Sequence, residues 1–254
     1  MKKIAVLMTC FNRVKTTLAC LERLFAQKMP EGYSFDVWLV DDASPDKTGE
    51  KVKAVYPQIN VVPGSGNLFW SKGMRLAWDA AADSFDYDSY LWLNDDVLLK
   101  KNALAGILAD YDAYGGVIVG KFSSDITESD VSYSLHGNYM NGNLVYIPRE
   151  VTEKVGRICG AYHHQYGDYD FGLHVLRSGM KLVSSTNVCG VCPQQPERYN
   201  RCRGKGLLQR VKLLADPRGY DLHDTFLYRW RNWGLCRAIV SCVHVTLKVI
   251  WGCV

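Results

Sequence analysis

Asn94-Asp95-Asp96 follows an apolar run, Tyr90-Leu91-Trp92-Leu93, and precedes a helix-like segment. Adjacent carboxylates at the end of a buried strand repel each other and lose hydration, which is costly unless a cation or a bound ligand compensates. A hard divalent ion bridging to phosphate oxygens is one such compensator, since Mg2+ binds through one or two carboxylates plus substrate phosphates. The competing reading is a solvated turn in which Asp96 caps the next helix. Asp41-Asp42 stands in a similar place after Phe35–Val40. A carboxylate there could accept hydrogen bonds from a base imide or a ribose hydroxyl, or it could cap the helix opening at Pro45; both readings stay open.

Further along, Gly167-Asp168-Tyr169-Asp170 begins a helix. Asp168 suits an N-cap, and equally a general base that deprotonates an attacking hydroxyl. Gly64-Ser65-Gly66-Asn67 leaves backbone N–H groups and a helix N-terminus open to phosphate or sugar groups, although its spacing is neither a Walker loop nor a dinucleotide fingerprint. Asn141-Gly142-Asn143 reads equally as an ordinary hairpin turn. Adjacent His163 and His164 point to opposite sides of an extended segment, so supporting or surface roles are expected of them.

These residues must be positioned by regular elements, and the first half of the chain alternates two patterns. Lys3–Thr9 is a continuous apolar run, as in a strand buried on both faces. Residues 14–28 then place Leu18, Leu21, Leu24 and Phe25 on one helical face. Strands follow at Phe35–Val40, Ile59–Val62, Tyr90–Leu93 and Val117–Val119. Between them come helices from Pro45 to about Val55, after a Ser71 cap, and through Leu104, Ile107 and Leu108. Short connections between such elements imply a mainly parallel sheet with helices on both faces, and ligands bind beyond the carboxyl ends of its strands. Thr9-Cys10-Phe11-Asn12-Arg13, Asp41-Asp42 and Asn94-Asp95-Asp96 all fall there. The second half predicts strands near 131–136, 143–147 and 180–184, and helices over 150–156 and 168–179.

The chain has 254 residues, 48% of them hydrophobic, enough for one large domain with a tail. Its +4 charge is uneven. From Glu197 onward eleven Lys/Arg face four Asp/Glu, leaving the tail near +7 and the remainder near −3. Such a tail suits phosphate-bearing substrates or an anionic membrane, and nucleic acid is not the expected partner. Residues 235–254 are apolar but carry Arg237, His244 and Lys248, which argues against a spanning helix. An interfacial amphipathic helix, a helix packed on the core and a subunit contact all remain open. Nine scattered cysteines, and an N-terminal run that reads as a strand rather than a signal peptide, suggest reduced thiols in a cytoplasm. Cys189 and Cys192 with Cys202 and Cys159 lack the second paired element of a structural zinc site.

In order, Thr-Cys-Phe-Asn-Arg13, Asp41-Asp42-Ala-Ser, Gly66-Asn67, Leu-Trp-Leu-Asn-Asp-Asp96, Asn141-Gly-Asn143 and Gly-Asp168-Tyr-Asp170 resemble a family 2 glycosyltransferase over residues 3–195. Gly66-Asn-Leu-Phe-Trp-Ser-Lys-Gly-Met-Arg-Leu-Ala-Trp78 is similar to bacterial rhamnosyltransferase-like enzymes of surface polysaccharide synthesis. The resemblance implies an α/β GT-A (Rossmann-like) domain over 1–220, followed by a basic helical tail over 221–254. It implies a UDP- or dTDP-sugar donor, contacted by Thr9, Phe11, Arg13, Asp42, Asn67, Lys72, Gly73 and Asp95. Asp96 would hold Mg2+ or Mn2+, Asp168 would be the catalytic base, and Asn141, Asn143 and Asp170 would meet a glycan or lipid-linked acceptor. Two positions depart from the pattern: Gly167 replaces a glutamate, and Cys189–Cys192 stands where a further histidine ligand is usual. The expected enzyme is inverting and cytoplasmic, at or near the inner face of the membrane. A non-catalytic sugar-nucleotide-binding protein would lack a usable base, and a nucleotidyltransferase would need a triphosphate grip absent from Thr9–Arg13.

Overall fold

The computed structural model describes residues 1–123, 135–136, 139–192 and 201–252. In chain order its elements are β1 (Lys2–Cys10), α1 (Val14–Phe25), β2 (Tyr33–Asp41), α2 (Thr48–Val55), β3 (Asn60–Pro63), α3 (Phe69–Ser84), β4 (Ser89–Leu93), β5 (Leu98–Leu99), α4 (Ala103–Tyr114) and β6 (Val117–Ser123). Next come β7 (Leu135–His136), β8 (Tyr139–Met140), β9 (Leu144–Pro148), α5 (Arg149–Val155), α6 (Gly167–Arg177) and β10 (Leu182–Val191). Three helices end the chain: α7 (Leu207–Lys212), α8 (Leu222–Trp233) and α9 (Leu235–Trp251).

The run Ile4–Met8 is fully buried because β1 lies inside an eight-stranded sheet of order β3-β2-β1-β4-β9-β6-β10-β5. Strands β3, β2, β1 and β4 are parallel, as are β6 and β10. β9 runs antiparallel between β4 and β6, and β5 runs antiparallel to β10. The sheet is mostly parallel, as the alternation predicts, with one reversed strand at its centre.

Helices cover both faces. Leu21 and Leu24 of α1, Val52 of α2 and Leu104, Ile107 and Leu108 of α4 pack on one side. Met74, Ala77 and Trp78 of α3, with Phe171 and Val175 of α6, pack on the other. Burying both faces of the parallel half leaves only strand ends and loops for polar chemistry.

Several local expectations change. Asp96 caps no helix, because β5 follows it and α4 starts after Asn102. Ser71 lies inside the first turn of α3 rather than at its cap. α2 begins at Thr48, not Pro45, with its amides held by Asp46 and by Asp41, whose Oδ2 accepts from Gly49 N at 2.9 Å. The strand expected near 131–136 falls mostly outside the described residues; Leu135–His136 pairs with Tyr139–Met140. The described cysteines are free thiols, and none joins a metal-sized cluster among the described residues.

Candidate active site

β4 delivers the acid pair. Asp95 is 4% exposed, and its Oδ1 accepts from Arg13 Nη1 at 2.8 Å while its Oδ2 accepts from Thr17 Oγ1 at 3.2 Å. The same Arg13 nitrogen donates to Asp96 Oδ2 at 3.2 Å. Burial pushes the Asp95 carboxyl up to about 6; Arg13 opposes the rise and Asp96 adds to it. Asp96 Oδ1 is buried and accepts no hydrogen bond. A buried carboxylate oxygen without a donor is costly, and it is the atom a hard cation would occupy.

Asn94 links this pair to the second half of the site. Its Nδ2 donates to Asn143 Oδ1 at 2.7 Å, its backbone N–H to Asn143 O at 3.0 Å, and its Oδ1 accepts from Trp70 Nε1 at 2.7 Å. Asn141 Oδ1 closes the turn by accepting from Asn143 N at 2.9 Å, and Gly142 N donates to Asp168 Oδ2 at 3.0 Å. A Cβ at 142 would meet the Trp70 ring at 2.6 Å, so only glycine lets the turn lie flat between that indole and Asp168. Asp168 is half-buried in the first turn of α6, where open N–H groups favour a negative side chain. The acid pair and the expected base therefore share one hydrogen-bonded cluster at the carboxyl end of β4.

The other expected residues divide. Thr9 sits at the end of β1, and a Cβ on Gly73 would collide with its hydroxyl and Cβ, so Gly73 lets α3 approach β1 closely. Phe11 and Asn67 are exposed, Lys72 is half-buried, and neither Asn67 nor Lys72 has a hydrogen bond or ion pair among the described residues. Asp42 is 4% exposed and accepts from the backbone N–H groups of Gly66, Leu68 and Phe69 at 2.7, 2.8 and 3.2 Å. Three of its lone pairs are thus spent on shaping the loop before α3. Asp170 also turns inward. It is 1% exposed, and it accepts from Asn232 Nδ2 at 2.7 Å and Arg231 Nε at 3.2 Å, both from α8. Asn12 and Ala43, in loops that follow β1 and β2, and Phe69, the first residue of α3, all have φ near +54°; strained backbone of this kind gathers at functional sites.

Residues 5–166 match the model of glycosyl transferase family 2. The chain belongs to that family. No curated protein matches it significantly. Among solved structures it is similar to the mannosyltransferase PcManGT from Pyrobaculum calidifontis in complex with GDP-Man and Mn2+, at 18% identity and TM-score 0.61, covering 96% of this chain and 75% of that one. It is also similar to S. aureus TarS 1–349 in complex with UDP-GlcNAc, at 14% identity and TM-score 0.60, covering 98% and 82%. A third likeness is to the catalytic domain of Drosophila beta1,4-galactosyltransferase 7, at 14% identity and TM-score 0.54, covering 83% and 79%. The fold is GT-A, and the protein is a glycosyltransferase.

In this glycosyltransferase, three features escape a reading of the sequence. Trp70 is the wall that Asn94 and Gly142 lean on, yet an aromatic at a helix start carries no such signal. Second, the tight packing at Gly167 leaves no sequence signal: a Cβ there would strike Ser71 Oγ and approach Ile158 at 3.3 Å. Third, the C-terminal segment reaches the site. Buried Asp224 accepts from the N–H groups of His163, His164 and Gln165 at 2.9, 3.0 and 2.9 Å, fixing the turn that leads into Asp168. His163 Nδ1 lies 2.7 Å from Asp221 Oδ2, and His223 Nδ1 lies 3.0 Å from Asp224 Oδ1. Ligand atoms of these four residues fall within 4.8 Å of one another. They form the group close enough to share an ion among the described residues, and Asp96 is not in it.

Proposed function

We propose that the enzyme transfers a sugar, with inversion, from a UDP- or dTDP-sugar to a glycan or lipid-linked acceptor of a bacterial surface polysaccharide. The observation that carries this reading is the double link Asn94–Asn143 and Gly142–Asp168, which ties the acid pair to a carboxylate at a helix N-terminus. A donor diphosphate at the pair and an acceptor hydroxyl at Asp168 would meet across the 141–143 turn.

Asp168 takes the proton of the acceptor hydroxyl as that oxygen bonds to the anomeric carbon from the face opposite the leaving group. The bond to the diphosphate oxygen breaks, and its electron pair stays with the nucleotide. The unsatisfied Asp96 Oδ1 fits a divalent cation, Mg2+ or Mn2+, which when bound would neutralise charge on the departing diphosphate. Arg13 holds Asp95 and Asp96 at a fixed spacing. Asn67 and Lys72 offer a free amide and a free ammonium to the donor, and Thr9 and Phe11 border it. Asn141 and Asn143 shape the turn on the acceptor side.

Asp168→Asn removes the proton acceptor and keeps the geometry of its Gly142 contact. Transfer should fall by at least about a thousandfold, with the thermal shift produced by donor plus Mn2+ unchanged. Retained turnover would overturn the base assignment. Thermal shifts against UDP-, dTDP- and GDP-sugars, with and without Mn2+, would identify the donor base, and a response to GDP-sugars alone would overturn the donor class.

A further inference from the structure

Helix α9 leaves most of one face uncovered. Ile239, Val240, Val243 and Leu247 are 50%, 66%, 54% and 42% exposed. At about 100° per residue they fall within roughly a third of the helix circumference, while Ala238 and Val249 on the opposite side are buried. α7 extends the patch: Leu208 is 81% exposed, and Arg210 Nη1 donates to Ile250 O at 3.0 Å, clasping α7 to the end of α9. Monomeric soluble proteins seldom expose so continuous an apolar strip without a partner for it.

The charges around the strip select the partner. Arg237 and Lys248 lie exposed along one edge of the arc, and no acidic residue follows Asp224 in the chain. Asp221 and Asp224 are buried against histidines and backbone amides, which leaves Asp216 as the exposed acid after Gly206 against exposed Lys212, Arg218, Arg231, Arg237 and Lys248. A second copy meeting this face by two-fold symmetry would bring like charges together. α9 has 17 residues, about 25 Å against about 30 Å of hydrocarbon, and among the described residues no helix is long and apolar enough to cross a membrane.

We propose that the α7–α9 face docks on an anionic phospholipid surface, with the apolar strip in the interface and Arg237 and Lys248 at headgroup level. Basic amphipathic helices lie in the plane of such surfaces. The docking does not depend on which sugar is transferred.

The test is flotation of the full chain with vesicles of phosphatidylcholine alone, or with added phosphatidylglycerol. The chain should float with the acidic vesicles, remain behind with the neutral ones, and be released by high salt. Val240→Asp combined with Val243→Asp changes two exposed side chains, so folding is retained, and binding should drop by at least about tenfold. The equally exposed Val55→Asp on α2 is the control and should bind like the wild type. Failure of the wild type to float with acidic vesicles, or equal flotation of the double variant, overturns the proposal. So does a salt-stable dimer in sedimentation that the double variant dissolves, which would assign the face to a second copy.

Discussion

At the scale of single residues, the chemistry rests on how few charges balance the acid pair. One guanidinium nitrogen of Arg13 serves both Asp95 and Asp96, and one Asp96 oxygen is left over. Asp95 answers its burial by holding its proton up to about pH 6, against 3.8 for an ordinary aspartate. An acid raised in the folded state binds its proton more tightly folded than unfolded. Its protonation therefore favours the fold at low pH, and that contribution is lost as pH rises from 3.8 through about 6. Donor and cation need the ionised pair, so below pH 6 their binding must expel a proton. Affinity for a UDP-sugar with Mn2+ should weaken as pH falls below 6, by at most about tenfold per unit for one proton. Calorimetry at several pH values in buffers of different ionisation enthalpy would show the proton release, and a flat profile between pH 5 and 7.5 would contradict it. The carboxylates themselves were legible because paired acids after an apolar run are expensive. That Asp42 serves three loop amides was not legible, since loop geometry leaves no periodic trace.

At the scale of elements, the strands and helices of the first half follow their apolar periods closely. β9 does not reveal its direction: Leu144-Val-Tyr-Ile-Pro148 reads the same whichever way it runs, and its antiparallel place is set by the Asn94–Asn143 turn contact. β5 is two residues long and has no pattern at all. Long-range contacts also involve α8, which falls in the segment read as a basic helical tail with packing on the core among its open alternatives. Arg231 and Asn232 close on Asp170, and Arg177 Nη1 donates to Asn232 Oδ1 at 2.7 Å. These partners lie 55–62 residues apart in sequence, beyond the reach of any local motif. Asn232→Ala would strip a buried carboxylate of its nearest donor. Stability should fall by about 3 kcal/mol, seen in urea as one cooperative transition shifted as a whole. A separate early transition for the C-terminal helices, with the rest unshifted, would restore the reading of a tail independent of residues 1–220.

At the scale of the whole molecule, the C-terminal segment reaches the loops at the carboxyl ends of the strands as well as the turn that leads into Asp168. Gln165 Nε2 and Arg201 Nη1 hold the Gly219 carbonyl at 2.8 Å each, anchoring the loop before α8. That loop carries Arg218, whose guanidinium lies 5.9 Å from the Phe11 ring and 5.8 Å from the Phe69 ring. Phe11 stands on the loop after β1 and Phe69 is the first residue of α3, held at an unfavourable positive φ. Cation–π attraction to two rings holds the guanidinium near them, while its N–H groups have no protein partner among the described residues. A rigid, unspent fork of donors beside the donor loops suits diphosphate or base oxygens. Arg218→Ala should raise the KM for the sugar nucleotide by about tenfold, the worth of one charge-assisted hydrogen bond, with kcat nearly unchanged. Arg218→Lys should not restore it, because an ammonium cannot present a planar pair of donors. If Arg218 only braced the loop, both substitutions would lower the melting temperature and leave KM where it was; the split between KM and melting temperature decides which role the residue has.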